Sequence, residues 1–207
     1  MSRGKFITLE GGEGSGKSTQ IALLKTALEK ANIPHILTRE PGGEAGAEAI
    51  RALLVTGDKN RWEPLTETLL FAAARVQHVA RLIAPALAEG KLVLCDRFAD
   101  STRVYQGIGK GISSEYISAL HAMTLGNLMP DMTFILDIDP AIGLARALVR
   151  AGNETRFEGM ELEFHAAVRA GFLGIARAEP ARCQVVDATQ SAEAVHAQIW
   201  AKISVAL

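Results

Sequence analysis

The chain has 207 residues, 48% of them hydrophobic and 22% charged, with a formal net charge of −1. That is enough to bury a core as one domain, and the composition is that of an ordinary globular protein. The near-neutral charge argues against a general basic surface for a nucleic-acid polymer. No apolar run reaches the length of a membrane span, and the few apolar residues before Glu10 fall short of a signal-peptide core. With Cys95 and Cys183 read as buried reduced thiols, the expectation is a cytoplasmic enzyme.

Phe6 to Glu10 is short and apolar, the pattern of a central strand in a parallel sheet. It runs into Gly11-Gly12-Glu13-Gly14-Ser15-Gly16-Lys17-Ser18, and a helical pattern begins near Thr19. This is the G-x-x-x-x-G-K-[ST] phosphate loop between a strand and a helix, the context it requires. Its glycines let backbone N–H groups point at an anion, and the following helix start adds further donors. Lys17 is placed to bridge β- and γ-phosphates, and the Ser18 hydroxyl to ligate Mg²⁺. The loop predicts nucleoside triphosphate binding.

The helix after the loop stops before Asn32-Ile33-Pro34, and His35 to Thr38 reads as a second strand with Arg39 in its exit loop. A helix through Ala49 to Leu54 ends near Gly57. A long helical pattern, Leu65 to Glu89, has Pro85 inside it as a kink or break. Leu92 to Asp96 is a third strand, followed to Gly111 by a polar, glycine-containing loop. Helix, strand and helix follow over Ser113–Gly126, Thr133–Asp137 and from Pro140 onward. Polar residues break that helix over Arg150 to Arg156. A helix from about Gly159 to Arg177, a strand Gln184–Asp187 and a helix capped by Ser191 complete the chain. Alternation of this kind predicts an α/β fold of the P-loop NTPase type. Its five-stranded parallel sheet is flanked by helices, in one domain over 1–207, with a short arginine-bearing lid at about 146–158. Ligands bind such sheets at the carboxyl ends of the strands, so Glu10, Arg39, Asp96 and Asp187 are expected to line one crevice.

Asp96 closes an apolar strand, as a carboxylate that orders Mg²⁺ does. Arg97 beside it, and Arg39 after the second strand, offer planar charged forks for phosphoryl oxygens and point to a second, phosphorylated substrate. Phe71 and Arg75 lie one helical turn apart, a ring for a base to stack on and a donor for its carbonyl. Ser101, Thr102, Tyr105 and Gln106, in the stretch after the third strand, are placed to read a base edge and sugar. Arg146, Arg150 and Arg156 bracket the helix break, where a closing segment would bring cations to the moving phosphoryl group and exclude water.

Taken together, these stretches resemble the bacterial thymidylate kinases along nearly the whole chain. The resemblance is carried by Phe6-Ile7-Thr8-Leu9-Glu10-Gly11 with the phosphate loop, Thr38-Arg39-Glu40-Pro41-Gly42-Gly43, and Leu70-Phe71-Ala72-Ala73-Ala74-Arg75. Asp96-Arg97-Phe98, Tyr105-Gln106-Gly107, Arg156-Phe157-Glu158 and Val186-Asp187-Ala188 continue it in order. It implies ATP and Mg²⁺ as cofactors, dTMP as acceptor, and a homodimer. It also implies that Phe71 stacks on thymine and Arg75 bonds its carbonyl, with Ser101, Thr102 and Gln106 near the base and Tyr105 against the sugar. Glu13 would face the sugar hydroxyl, Arg39 and Arg97 would hold the acceptor phosphate beside Pro41, and Asp187-Ala188 would lie near adenine. Because Gly14 leaves the loop without an arginine, Arg150 or Arg156 of the lid would supply the catalytic cation. Arg103 is given no role.

Three rival readings are weighed against the residues, and one of them, a degenerate P-loop domain with only a structural role, is opposed by intact Lys17, Ser18, Asp96 and Arg97. A kinase for another small acceptor would share the phosphate loop but not the combination of Phe71, Arg75 and Tyr105. A guanine-nucleotide switch would carry an N-K-x-D motif, which this sequence lacks.

Overall fold

The computed structural model describes residues 3–58, 60–149, 157 and 159–206. Five strands form one parallel sheet in the order β2-β3-β1-β4-β5: β1 Phe6–Glu10, β2 His35–Arg39, β3 Leu92–Asp96, β4 Met132–Asp137 and β5 Cys183–Asp187. In register, Leu9 and Arg39 both pair with Asp96, and Asp137 pairs with Asp187. The polar strand ends therefore come out along one edge, with β1 at the centre. Every residue of β1 is buried, as a strand covered on both faces requires.

The period-two alternation of the strands sorts their side chains into two layers. Ile7, Leu9, Leu92, Leu94 and Leu136 pack with Leu24 and Leu28 of α1 (Lys17–Lys30) and Ile199 and Ile203 of α9 (Ala192–Ala206). Phe6, Val93 and Cys95 turn the other way, against Ile83, Leu87 and Phe98. Ile135 joins Val104, Phe172 and Ile175 below α8 (Leu162–Ala178). Each wholly buried Leu or Ile in these layers contributes about 1.5–3 kcal/mol. Ile199→Asp, at 0% exposure, would detach α9 from the sheet.

Two expectations about helices need correction. The Leu65–Glu89 pattern is not broken at Pro85. Helix α3 (Pro64–His78) passes through a π-helical turn, Val79–Ile83, into α4 (Ala84–Ala88). The Ala84 N–H reaches back five residues to the Val79 carbonyl, and this wider turn just ahead of Pro85 relieves the ring's clash with the preceding turn. The second correction concerns the stretch after β3, which is not a loop. Helix α5 (Ala99–Thr102) continues as a π-helical turn, Arg103–Ile108. Its polar residues Asp100, Thr102 and Gln106 are buried and bonded to partners on other elements. Polarity here marks an internal hydrogen-bond network, where composition alone suggested solvent.

The remaining helices are α2 (Ala45–Val55), α6 (Ser114–Leu125) and α7 (Pro140–Val149). Glu44 caps α2 through the Ala47 N–H, and Ser113 caps α6 through the Tyr116 N–H, each satisfying an otherwise orphaned donor. The first strand and phosphate loop thus sit at the middle of the sheet's polar edge, where the crevice opens.

Candidate active site

Three of the cavities among the described residues lie along the phosphate loop. The middle one, about 140 Å³, is lined by Glu13, Gly14, Ser15, Gly16, Lys17 and Ser18, with Arg39, Glu40, Arg51, Asp96 and Arg97 across from them. Gly16, at φ 93°, caps α1, which begins at Lys17. Lys17 Nζ donates to the Gly11 and Gly12 carbonyls at 3.1 and 2.9 Å and to Ser15 Oγ at 3.3 Å. Burial, then the nearby Arg97 charge, pull its pKa down to about 8 against the pull of Asp96, Glu13 and Glu10. An anion in this cavity would restore the charged form. Ser18 Oγ lies 3.4 Å from Asp96 Oδ2. A hydroxyl and a carboxylate at the rim of a phosphate cavity suit Mg²⁺, which keeps most of its waters and takes few protein oxygens.

The second cavity, also about 140 Å³, opens beyond Glu13 and Arg97. Its wall brings together Pro41, Phe71, Arg75, Arg97, Ser101, Thr102, Tyr105 and Gln106. Arg39 is absent from this wall. Its guanidinium is half exposed, pairs with Glu48 at 3.0 Å and faces the middle cavity. Arg75 is buried deeper than a surface donor: Nε bonds Glu40 and Nη2 bonds Thr102 Oγ1 at 2.9 Å and the Phe98 carbonyl at 3.2 Å. Nη1 has no hydrogen-bond partner among the described residues, and it is the donor left for a ligand. Gln106 Nε2 is likewise engaged, on Glu67 Oε1 at 2.9 Å, which leaves its carbonyl oxygen to the cavity.

Arg97 is the hub between the two cavities. It follows β3 with φ at 70°, a left-handed conformation that costs a non-glycine residue roughly 1 kcal/mol or more. Nη1 donates to the Gly11 carbonyl and Ser101 Oγ, and Nη2 to Glu13 Oε1 and the Tyr105 hydroxyl, all within 2.9–3.1 Å. Burial works against its charge, but Tyr105, Glu13, Asp96 and Glu10 more than offset this and raise its pKa. Burial alone would also raise Glu13, yet Arg97 and Lys17 hold it below the usual carboxylate range. Burial lifts the Tyr105 hydroxyl well above its ordinary value despite Arg97. The site therefore holds an ionised carboxylate, a neutral phenol, the Arg97 cation and a lysine whose charge an anion would restore. Such a set binds and neutralises phosphates.

The third cavity, about 200 Å³, lies on the other side of the loop between Gly14, Thr19, Arg146, Ala188 and Gln190. Arg146 Nη1 donates to the Ala188 carbonyl at 3.1 Å, on the wall of a slot beside the start of α1. The Asp187 carboxylate turns away and closes the local turn through Thr189. Of the expected pair, Ala188 lines the slot. Arg150 and Arg156 lie outside the described residues.

Three residues at these cavities were not singled out for a role from the sequence. Arg51 lines both the middle and the acceptor-side cavity, yet in α2 it reads as one charge on a solvated face. Glu40 pairs with both Arg75 and His78; its burial was the missing signal. Phe157 faces Phe71 at 6.2 Å and Tyr105 at 5.7 Å between ring centroids, a contact no local pattern announces. Glu10, expected in the crevice, points inward and is fully buried.

The thymidylate kinase family model matches residues 9–199. The thymidylate kinase of Caulobacter vibrioides is 54% identical over 199 residues, covering 96% of this chain and 95% of that protein. That of Dinoroseobacter shibae is 51% identical over 203 residues and covers 98% of both chains. Among solved structures, the crystal structure of thymidylate kinase from Ehrlichia chaffeensis aligns with a TM-score of 0.79 at 36% identity, covering 98% of this chain and 99% of that one.

Proposed function

Since the chain belongs to the thymidylate kinase family, we propose that it transfers the ATP γ-phosphate to dTMP, giving ADP and dTDP toward dTTP synthesis, as a single kinase domain. The observation that carries this is the hub at Arg97 and Glu13, shared by a phosphate-loop cavity and a second cavity walled by Phe71, Arg75 and Tyr105. A second nucleotide, with its phosphate aimed at the loop, fits that arrangement; a switch protein would need no such cavity.

In this reading the adenine lies in the slot between Arg146 and Ala188, and the phosphates rest on Gly11 to Thr19 and Lys17. Ser18 and Asp96 would hold Mg²⁺, which would supply positive charge against that of the phosphates. Lys17 releases the loop carbonyls to take up the β- and γ-phosphates. Thymine stacks on Phe71 with Arg75 Nη1 on its carbonyl and Gln106 at its edge. Tyr105 lies beneath the deoxyribose, and Glu13 accepts from the sugar hydroxyl. Arg97 and Arg51 hold the acceptor phosphate, with Arg39 at the rim. The nucleophile is already an oxyanion, so catalysis is alignment and charge neutralisation, with no proton to remove. Arg150 or Arg156 supplies the remaining cation.

ADP release with each nucleoside monophosphate offered in turn tests the reading. We expect turnover with dTMP, less with dUMP, and little with dCMP or purine monophosphates. Robust ADP release without an acceptor, or none with dTMP, would sink it.

The protein also acts as a homodimer in this reading. The adjoining helices α2, α3 and α6 leave Leu53, Leu65, Leu69 and Met123 exposed, an apolar surface of the kind a second copy covers. Sedimentation of Leu69→Glu, monomeric where the parent is dimeric, is the check.

A further inference from the structure

Glu10 is fully buried at the end of β1 and lines none of the three cavities. Its carboxylate is nevertheless fully used. Oε1 accepts the Phe98 N–H at 2.8 Å, and Oε2 accepts the Ser101 hydroxyl at 2.6 Å. Ser101 Oγ, having given its one proton to Glu10, must accept from Arg97, and Nη1 of Arg97 reaches it at 3.1 Å. The Arg97 N–H is tied to the Leu9 carbonyl, one residue before Glu10. Both ends of Arg97, backbone and guanidinium, are thus referenced to the last two residues of β1.

From this we infer that Glu10 is a positioning residue for the acceptor phosphate, acting on Arg97 through Phe98 and Ser101. The left-handed backbone at Arg97 needs an external hold, because the residue does not adopt it on its own. Glu10 supplies that hold by fixing the next N–H in the chain, at Phe98. The serine relay then sets one edge of the guanidinium. An amide at this position keeps a carbonyl for one of the two donors but turns an N–H toward the other. With the carbonyl kept on the Phe98 N–H, Ser101 Oγ must accept from the amide as well as from Arg97 and loses its charged acceptor, so the serine no longer fixes that edge of the guanidinium. Glu10 touches neither substrate, so its effect should fall on the nucleotide that Arg97 holds.

This rests on the reading of Arg97 as the acceptor-phosphate arginine, and the experiment separates the two. Steady-state kinetics are measured at pH 8, where Glu10 is a carboxylate, on Glu10→Gln, Arg97→Ala and the double variant, each checked for folding by circular dichroism. Glu10→Gln should raise the KM for dTMP about tenfold or more, the range for losing a hydrogen bond to a charged group, with the KM for ATP within about twofold. In the Arg97→Ala background the same substitution should have almost no further effect, since its route is gone. If Glu10→Gln raises both KM values alike, leaves the dTMP value unchanged, or adds its full effect to Arg97→Ala, the inference is wrong while the function stands. Should Arg97→Ala leave the dTMP value unchanged, the assignment of Arg97 fails and takes the inference with it. Glu10→Asp keeps the charge but falls short of Phe98 and Ser101. It is read on the same criteria if the glutamine variant does not fold.

Discussion

Arg75 and Glu40 form a buried ion pair, Nε to Oε2 at 2.6 Å, with both side chains less than a tenth exposed. The arginine that would read the base is therefore also the counter-charge for a carboxylate that shares its other oxygen with His78. Deleting Arg75 strands Glu40 in the interior at roughly 3–5 kcal/mol, so Arg75→Ala confounds specificity with folding. Arg75→Lys is the sharper variant. A lysine keeps the pair with Glu40 but cannot also reach Thr102 and the cavity, because it lacks the fork. Cytosine presents an amino group where Arg75 expects an acceptor. The kcat/KM ratio of dTMP over dCMP should then fall about tenfold or more in Arg75→Lys. An unchanged ratio in a folded variant would remove Arg75 from base recognition.

Gly14 explains why the phosphate loop carries no arginine. It sits at φ 64°, and a Cβ there would meet the Gly143 carbonyl oxygen of α7 far inside van der Waals contact. Gly143 in turn has no room for a Cβ against the Glu13 carbonyl. The two backbones are packed on each other, and no side chain fits at Gly14 unless α7 moves. Gly14→Ala should cost about 1–3 kcal/mol from overpacking and strain and raise the KM for ATP more than the KM for dTMP. Thermal melts with kinetics on both substrates decide it. A variant with parental Tm and ATP kinetics would show that the loop and α7 are not locked.

Arg103, for which the sequence offered no role, belongs to a buried network. Asp100, 1% exposed, accepts from both Arg103 and Arg182, and both arginines also pair with Glu179 at the end of α8. Arg182 also bonds Thr133 Oγ1, which meets Thr8 Oγ1 at 2.8 Å. The network ties α5 to the sheet and to α8, and so fixes the stretch that carries Ser101, Thr102, Tyr105 and Gln106. Arg182 gives Asp100 two bonds from a mostly buried side chain, while Arg103 gives one from a third-exposed side chain. Arg182→Ala should therefore destabilise by roughly 3–5 kcal/mol and Arg103→Ala by about 1 kcal/mol. Equal losses in chemical denaturation would contradict this ranking.

The parts legible in the sequence are those where one physical constraint fixes both composition and position. A strand buried on both faces must be an apolar run, and a phosphate cradle must be glycine-rich at the end of such a strand. β1, β3 and β4 with the phosphate loop followed from that. Residues 99–108 did not, because Asp100, Thr102 and Gln106 are polar yet internal. Their partners Arg182, Arg75 and Glu67 lie far along the chain, so local composition read them as a loop. Glu10 was legible as a strand-end carboxylate, but the direction its side chain takes, like that of Glu40, is set by tertiary partners. Arg39 shows the converse. It stands where expected, but its neighbour Glu48 holds it away from the acceptor-side wall.

The lid arginines carry a kinetic prediction. Gly14 leaves no arginine on the loop, and Lys17 and Arg97 are already in place at the cavity before any segment closes over it. Charge developing on the transferring group then calls for Arg150 or Arg156, contacting it chiefly in the transition state. Loss of such a contact lowers kcat and leaves the KM values nearly unchanged; for an arginine used this way the drop reaches about 10³-fold. Steady-state kinetics on Arg150→Ala and Arg156→Ala test it. Near-parental kcat in both would place the catalytic cation elsewhere.

The last prediction concerns the stability cost of Glu10. Burial, and then the carboxylate of Asp100, push its pKa from 4.5 to about 7, against the pull of Arg97, Ser101 and the Phe98 N–H. Between those values the folded protein holds a proton that the unfolded chain has released. Stability therefore falls as pH rises from about 4.5 to about 7 and is level with respect to this group above that. The interval corresponds to about 3 kcal/mol at full extent, a cost consistent with a residue kept for what it positions. Glu10→Gln removes the titration. Its Tm relative to the parent should climb between pH 5 and pH 8, even though the variant loses dTMP affinity. Differential scanning calorimetry of the two proteins across that range is the measurement. A constant Tm difference from pH 5 to pH 8 would mean that Glu10 is ionised throughout, with Arg97 and the two donors outweighing its burial.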